Sequence, residues 1–148
     1  MNACGKLVGI YSGAEKGAGK ASLENASLVV GIGLDGDCHA GRDPDRQISL
    51  FAAETLQSLN QEGFTIAAGE LSANLITAGL PLNDLQAGDK LRIGDAEIEL
   101  SEPRQPCASL TKIDYRLPKR LYRNCGWLGR VVKSGSVSPG STVEVISS

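Results

Sequence analysis

The sequence predicts a mainly β, barrel-like fold with a few short helices, built as one domain over residues 1–148. Glycine accounts for 18 of the 148 residues and long amphipathic segments are scarce, which favours short strands joined by turns. Residues 89–101 (DKLRIGDAEIELS) alternate apolar and polar side chains on both sides of a Gly-Asp pair, the pattern of a hairpin with one buried face. Six or more such strands with few helices are typical of a barrel or sandwich, and no linker-like stretch marks a second domain.

The other elements are assigned from apolar runs and the turn residues between them. Five more segments are predicted to be strands, the last two as a closing hairpin: residues 6–11, 27–32, 47–51, 129–133 and 142–146. Residues 33–46 (GLDGDCHAGRDPDR) have no periodicity and predict a long loop. A helix is predicted over residues 52–60 and ends before Gly63. Residues 71–76 fit a helix or a strand, and residues 108–123 predict a helix broken by Pro118.

The composition is that of a soluble globular protein, with 41% apolar and 22% charged residues. A formal charge of −2 gives no general reason to expect a nucleic acid or an anionic membrane as partner. The longest uncharged apolar stretch, residues 26–34, is too short to span a bilayer, and the N-terminus lacks a signal-peptide pattern. We therefore expect a cytoplasmic bacterial-type protein whose four cysteines are thiols rather than disulfides.

Two ligand-binding motifs are suggested by the start of the long loop, and both are rejected. Residues 31–36 (GIGLDG) match the dinucleotide fingerprint, but Gly41 and Pro44 stand where its helix must begin. The acidic pair Asp35 and Asp37 suggests a calcium loop, but Arg46 occupies the position that needs a bidentate glutamate.

His39 lies in the same loop and is the only histidine of the chain. Any histidine-based catalytic triad must use it. Two interpretations stay open: a loop residue that makes turn hydrogen bonds, or a site residue, because loops often carry function. Cys38 is not expected to share a metal with His39, because the side chains of adjacent residues diverge.

A basic segment runs from Arg104 to Arg130 and contains seven basic residues and one acidic residue, a net charge of +6. Such an excess is either a solvated face or an anion site. Cys107 opens the segment behind two prolines (PRQPC), which hold the backbone in one conformation. Nearby cations stabilise a thiolate, so Cys107 is the predicted reactive cysteine, with Cys125 as second choice.

Five segments in this order resemble the MOSC domain, found at the C-terminus of molybdenum cofactor sulfurases and as small stand-alone bacterial proteins. GLDGDCHAG resembles the family's G-L-x-G-D-x-H-x-G loop, and RQISLFAAE resembles its R-Q-V-x-L-x-x-x-E segment. The other three matching segments are AAGELSANLITAGLPLNDLQAGDKLRIG, PRQPCASL and CGWLGRVVKSGSVSPGSTVEV. The order of the five is more specific than any one of them.

The resemblance implies a barrel-like fold and a molybdenum-pterin cofactor with Cys107 as its metal ligand or as a sulfur carrier. A thiolate is soft and polarisable, which suits both roles. It also implies that the basic residues face the phosphate of the cofactor. The residues implied to bind the cofactor are Arg104, Asn74, Gln47, Arg46, His39 and Arg130.

Two main function classes follow from the resemblance. One is a carrier or maturation module that associates with the cofactor or its biosynthetic proteins, among relatives connected with pyridoxal phosphate. The other is a small molybdoenzyme that reduces N-hydroxylated compounds with an external electron-transfer partner. Nucleic-acid backbone binding by residues 104–130 is a lower alternative, because few aromatic residues are available for base stacking.

Overall fold

Seven strands form a closed barrel in the computed structural model, which describes residues 4–13 and 20–147. The barrel strands follow the order β1, β6, β5, β9, β8, β7 and β11, and β11 pairs with β1 to close the ring. They are β1 (Cys4–Ser12), β5 (Ile48–Ala52), β6 (Leu75–Ala78), β7 (Lys90–Ile93), β8 (Ala96–Pro103), β9 (Trp127–Lys133) and β11 (Thr142–Ser147). All neighbouring pairs are antiparallel except β5 and β6, which are parallel. The prediction of a mainly β, barrel-like fold is confirmed.

Short elements complete the described part of the chain. Strand β2 (Ala21–Ser22) pairs antiparallel with the end of β1. Strands β3 (Ala26–Val29), β4 (Gly33–Leu34) and β10 (Gly135–Val137) form a separate small sheet. The α-helices are α1 (Ala53–Gln61) and α2 (Leu117–Leu121). Single 3₁₀ turns occupy Ala68–Leu71, Leu82–Asp84 and Ala108–Lys112. Among the described residues, no helix has the length and apolar content needed to cross a membrane.

Side-chain alternation places the main core inside the barrel. In β8, Ala96, Ile98 and Leu100 are fully buried while the intervening glutamates lie outside. The β7–β8 hairpin has the predicted register, since Ile93 pairs with Ala96 across the turn. A second apolar cluster, which includes Phe51, packs α1, α2 and two of the 3₁₀ turns, Ala68–Leu71 and Ala108–Lys112, against the outside of the barrel.

Two predicted elements differ from the structure. Residues 129–133 and 142–146 do not form a hairpin with each other, because β9 pairs with β5 and β8 while β11 pairs with β1 and β7. Pro118 does not break a helix. It lies in the first turn of α2, where its missing amide has no intrahelical acceptor to lose. The ambiguous residues 71–76 end a 3₁₀ turn and begin β6.

Two segments connected to different barrel strands are brought together at one side of the barrel. The long loop that follows β4 leads into β5, and the segment that follows β8 carries Cys107. Strand β9 lies between β5 and β8 and pairs with both. Residues far apart in sequence therefore meet at one side of the barrel.

Candidate functional site

A cavity of about 510 Å³ lies where the long loop and the segment after β8 meet. A volume of this size falls within the roughly 300–1,000 Å³ of small-molecule sites. Its walls come from the loop, from β5, from the residues just before β6, from the end of β8 with the residues that follow, and from Leu128 of β9. Its polar and ionisable lining residues are His39, Arg42, Asp43, Arg46, Ser49, Ser72, Asn74, Glu102, Arg104, Gln105, Cys107 and Ser109.

Cys107 presents an exposed thiol at this cavity. It is the cap residue before the 3₁₀ turn Ala108–Lys112, and its backbone is extended. Partial burial raises the pKa of the Cys107 thiol, but other interactions outweigh it and hold the pKa below its ordinary value. These are hydrogen bonds from the hydroxyl and amide of Ser109, the charge of Arg104 and the amide of Leu110. The Ser109 hydroxyl oxygen lies 2.7 Å from Cys107 Sγ.

The Arg104 guanidinium is held in place by one hydrogen bond, which leaves its second terminal nitrogen available as a donor. Its Nη2 donates to the Leu71 carbonyl at 2.6 Å, and its backbone amide donates to the Gly126 carbonyl at 3.0 Å. Its Nη1 is buried and has no hydrogen-bond partner among the described residues. A buried donor without an acceptor costs about 1–3 kcal/mol, so this atom is suited to an acceptor on a ligand.

A buried ion pair organises the loop beside the cavity. Asp37 is buried and pairs with Lys20, whose side chain is also buried. Burial alone raises the pKa of Asp37, but hydrogen bonds from His39, Lys20 and the Gly13 amide hold this pKa far below its ordinary value. Because an ionised carboxylate accepts all of these hydrogen bonds, Asp37 fixes the conformation of the loop around His39.

The side chains of Cys38 and His39 approach each other, contrary to the sequence-based expectation. Cys38 Sγ lies 3.3 Å from His39 Nδ1, because a turn in the loop folds both side chains toward Asp37. The three side chains bring a sulfur, a nitrogen and an oxygen within 4.8 Å of one another. The ammonium of Lys20 contacts Asp37 and lies 3.7 Å from Cys38 Sγ, and this positive charge opposes a cation there.

Four of the six residues implied to bind the cofactor line the cavity, and so does the implied metal ligand Cys107. The four are His39, Arg46, Asn74 and Arg104. Asn74 is 1% exposed, and its amide ties the backbones of β1 and β5 together through Tyr11 and Ser49. Arg46 donates to Glu102 at 2.7 Å. The long loop and the Cys107 segment therefore line one cavity, as the resemblance implies.

Gln47 and Arg130 are not among the lining residues. The amide of Gln47 is buried, donates to the Pro44 carbonyl and accepts from the Val131 amide. Arg130 forms ion pairs with Glu99 and Asp45 on the outside of the barrel. Both side chains therefore stabilise strand and loop positions rather than face the cavity.

The basic segment does not face the cavity as a unit. Of its seven bases, only Arg104 is among the lining residues described for this cavity. Arg116 pairs with Asp114, and Arg120 pairs with Glu62, so part of the +6 excess is neutralised locally. Sequence spacing cannot reveal such pairing, because Glu62 lies 58 residues from Arg120.

Sequence reasoning did not assign a site role to several of the polar cavity residues, Ser109 and Arg42 among them. Ser109 follows Cys107 by two residues at the start of a turn, a spacing at which a side chain and a backbone amide commonly meet. This spacing is the sequence signal from which Ser109 could be recognised as a partner of Cys107. No sequence signal distinguishes Arg42 from the other charged residues of the loop, because its role depends on how the loop folds.

We expect Cys107 to react with iodoacetamide before the other three cysteines at pH ~7. Its lowered pKa gives a larger thiolate fraction, and the thiolate is the reacting form. Cys4 is equally classed as exposed and is the matched control, whereas Cys38 and Cys125 are buried and burial raises the pKa of Cys125. Mass spectrometry of timed alkylation measures the order. Ser109→Ala should slow Cys107 alone. Faster labelling of Cys4 than of Cys107 contradicts the expectation.

The fold and the site together define a small barrel protein that presents a cysteine with a lowered pKa at a polar, arginine-lined cavity. The sequence profile of the MOSC domain matches residues 35–144 of this chain. The chain therefore belongs to the MOSC domain family, as its five motif segments predict. The family is associated with binding of the molybdenum cofactor.

Curated relatives agree with this assignment. The chain is 28% identical over 155 residues to Protein YiiM of Escherichia coli, covering 97% of this chain and 69% of YiiM. It is 30% identical over 145 residues to the uncharacterized protein YflK of Bacillus subtilis, covering 90% of this chain and 64% of YflK. It is also 32% identical over 84 residues to a protein named Reductase from Gibberella moniliformis, covering 53% of this chain and 15% of that protein. The chain thus spans about two thirds of the two bacterial relatives.

Solved structures share the fold. The YUAD protein of Bacillus subtilis superposes with a TM-score of 0.87 at 22% identity, covering 100% of this chain and 98% of that one. YiiM of Escherichia coli superposes with a TM-score of 0.76 at 26% identity, covering 100% of this chain and 71% of that one.

Proposed function

We propose that this chain binds a molybdenum-pterin cofactor in the 510 Å³ cavity, with Cys107 as the metal ligand or as a sulfur carrier. One observation carries the proposal. In this MOSC-family chain, the exposed Cys107 thiol has a lowered pKa and lies at a cavity that is also lined by arginine side chains. The thiolate is the form that binds metals and that attacks sulfur.

The donor set of the cavity fits such a group. The unpartnered Nη1 of Arg104 is suited to an anionic or carbonyl oxygen, and a guanidinium is the preferred side chain for phosphate. Arg42 and Arg46 add positive charge from the loop. Thiolates are the soft ligands that soft metal centres select.

Each residue then has a defined task. Cys107 holds the reactive sulfur, Ser109 stabilises its thiolate, and Arg104 binds an acceptor atom of the cofactor. Asn74 supports the cavity wall where β1, β5 and β6 meet. When bound, the cofactor supplies two-electron oxygen- or sulfur-transfer chemistry.

A second candidate is a small reductase of N-hydroxylated compounds, and the similarity to a protein named Reductase supports it. That similarity covers 15% of the relative, so electron delivery would come from a separate partner. The two candidates share the same cavity and differ in turnover. Binding of a nucleic-acid backbone has less support, because Arg116, Arg120 and Arg130 pair with acids of the same chain.

Metal analysis of purified protein tests cofactor binding. Protein made in a host that synthesises molybdenum cofactor should contain molybdenum in proportion to protein, and oxidised extracts should contain the fluorescent pterin. Protein from an otherwise identical host that cannot make the pterin should contain neither. Equal molybdenum in both preparations would show adventitious metal and would contradict the proposal.

A further inference from the structure

The imidazole ring of His39 is oriented by contacts on one edge only. Its side chain is 39% exposed and lines the cavity that Cys107 also lines. Nδ1 is turned inward, 3.1 Å from Asp37 Oδ2, and the His39 backbone amide donates to the same oxygen at 3.1 Å. In the described part of the chain, Nε2 makes no hydrogen bond. One nitrogen of the ring is therefore committed to the protein and the other is left for the cavity.

The charge of Asp37 decides which ring nitrogen carries the proton. The other oxygen of Asp37 accepts from Lys20 and from the Gly13 amide, and these donors keep the carboxylate ionised. An ionised carboxylate accepts hydrogen bonds and donates none, so Nδ1 has to be the donor in their contact. A neutral imidazole has one N–H, and Nε2 then carries a lone pair.

Cys38 does not change this assignment. Its sulfur lies 3.3 Å from the same Nδ1, so Nδ1 cannot act as a base toward Cys38 while its proton is directed at Asp37. The arrangement is therefore not a Cys-His-Asp triad, which needs the two contacts on different ring nitrogens. On the inner side of the ring, the charged or titratable neighbours are Lys20, Asp37 and Cys38. The charged or titratable residues that line the cavity together with His39 are Arg42, Asp43, Arg46, Glu102, Arg104 and Cys107.

We infer that His39 is a hydrogen-bond acceptor for the ligand of this cavity: its Nε2 accepts the hydrogen bond of an O–H or N–H group on the bound ligand. The inference rests on the proposed function only in taking this cavity as the ligand site. Asp37 is a positioning residue, because it acts through His39 by fixing the tautomer. The cavity arginines donate hydrogen bonds only, and the two carboxylates of the lining, Asp43 and Glu102, already accept from groups of the protein. An acceptor at His39 Nε2 therefore lets the site discriminate ligands that carry a donor from ligands that carry only acceptors.

Nitrogen-15 NMR tests the tautomer directly, because His39 is the only histidine of the chain. Long-range proton–nitrogen correlation spectra of the labelled, metal-free protein, recorded in alkaline buffer so that the imidazole is neutral, should show a protonated Nδ1 and an unprotonated Nε2. A protonated Nε2 overturns the inference. In Asp37→Asn the amide can donate to Nδ1, and the tautomer should reverse. If this variant does not fold, the wild-type spectrum still decides the question.

A second measurement tests whether Nε2 faces the cavity. N-ethylmaleimide on Cys107, introduced in the Cys4→Ser background, should shift the Nε2 resonance and slow the modification of His39 by diethyl pyrocarbonate. The same label on Cys4, in the Cys107→Ser background, should leave both unchanged, because Cys4 lies on β1 and is not among the cavity residues. Equal effects of the two labels, or no effect of either, overturn the inference. Both measurements use protein without cofactor, so their outcome is independent of the molybdenum analysis.

Discussion

Replacing Cys107 by serine is expected to abolish molybdenum retention and persulfide formation. A serine hydroxyl is a harder ligand and stays protonated near neutral pH, so it replaces neither the soft thiolate nor its nucleophilicity. The loss should exceed that of any other single substitution at the cavity. Arg104→Ala should lower retention less, because it removes one anion contact and only one of the interactions that lower the Cys107 pKa, and the thiol itself remains. Molybdenum and pterin content per protein measure both effects.

The fold should survive the change at Cys107. Its side chain is exposed, and substitutions at exposed positions usually change the free energy of unfolding by no more than about 0.5 kcal/mol. Cys4→Ser is the matched control, since Cys4 is also exposed but lies outside the cavity. Full molybdenum retention in Cys107→Ser would contradict the proposed function, and equal losses in both variants would show a general effect of removing a thiol.

Lys20→Met is expected to destabilise the fold by about 3–5 kcal/mol, because it leaves the Asp37 carboxylate buried without its cationic partner. The double variant Lys20→Met with Asp37→Asn removes both charges and should recover part of this loss. Urea unfolding followed by tryptophan fluorescence measures both through Trp127, which is buried in the barrel core. A single variant as stable as the wild type would show that the pair contributes nothing.

Lowering the pH should remove the contribution of the ionised Asp37 carboxylate to the stability of the fold. The pKa of Asp37 in the folded protein lies below the value near ~3.9 of an unfolded chain. A depressed pKa contributes stability in full above pH ~4–5, and this stability is lost as the pH falls toward the folded value. Wild-type protein should lose more stability than the double variant between pH ~5 and pH ~2. Parallel acid profiles would contradict this assignment.

Local features of the fold were predictable from sequence because they depend on neighbours in the chain. The β7–β8 hairpin is fixed by alternation and a Gly-Asp turn, and Gly94 has the positive φ that the turn needs. Helix α1 was placed within one residue of its ends. The pairing of β9 and β11 was predicted wrongly, since both strands alternate equally well and only the closed barrel selects their partners.

The site was predictable to a similar depth. Residue type and context single out Cys107 but leave His39 open between a turn residue and a site residue, and only the resemblance implies a cofactor role for His39. The structure places both residues at one cavity. Gln47 and Arg130 share the same motif segments as the cavity residues, yet their side chains point to other partners. A sequence motif covers a whole segment, so it does not separate the side chains that stabilise the barrel from those that face a ligand.

The pairing of β1 with β11 has a consequence for how the protein reaches this structure. The ring closes only when residues at the beginning and the end of the chain meet, for example Gly5 with Val143. Contacts between residues so far apart in sequence slow folding, because the entropy of closing the loop is lost before the contact forms. During synthesis, the exposed edge of β1 lacks its β11 partner until β11 has left the ribosome. Nascent chains are therefore more vulnerable to aggregation before β11 emerges than after it.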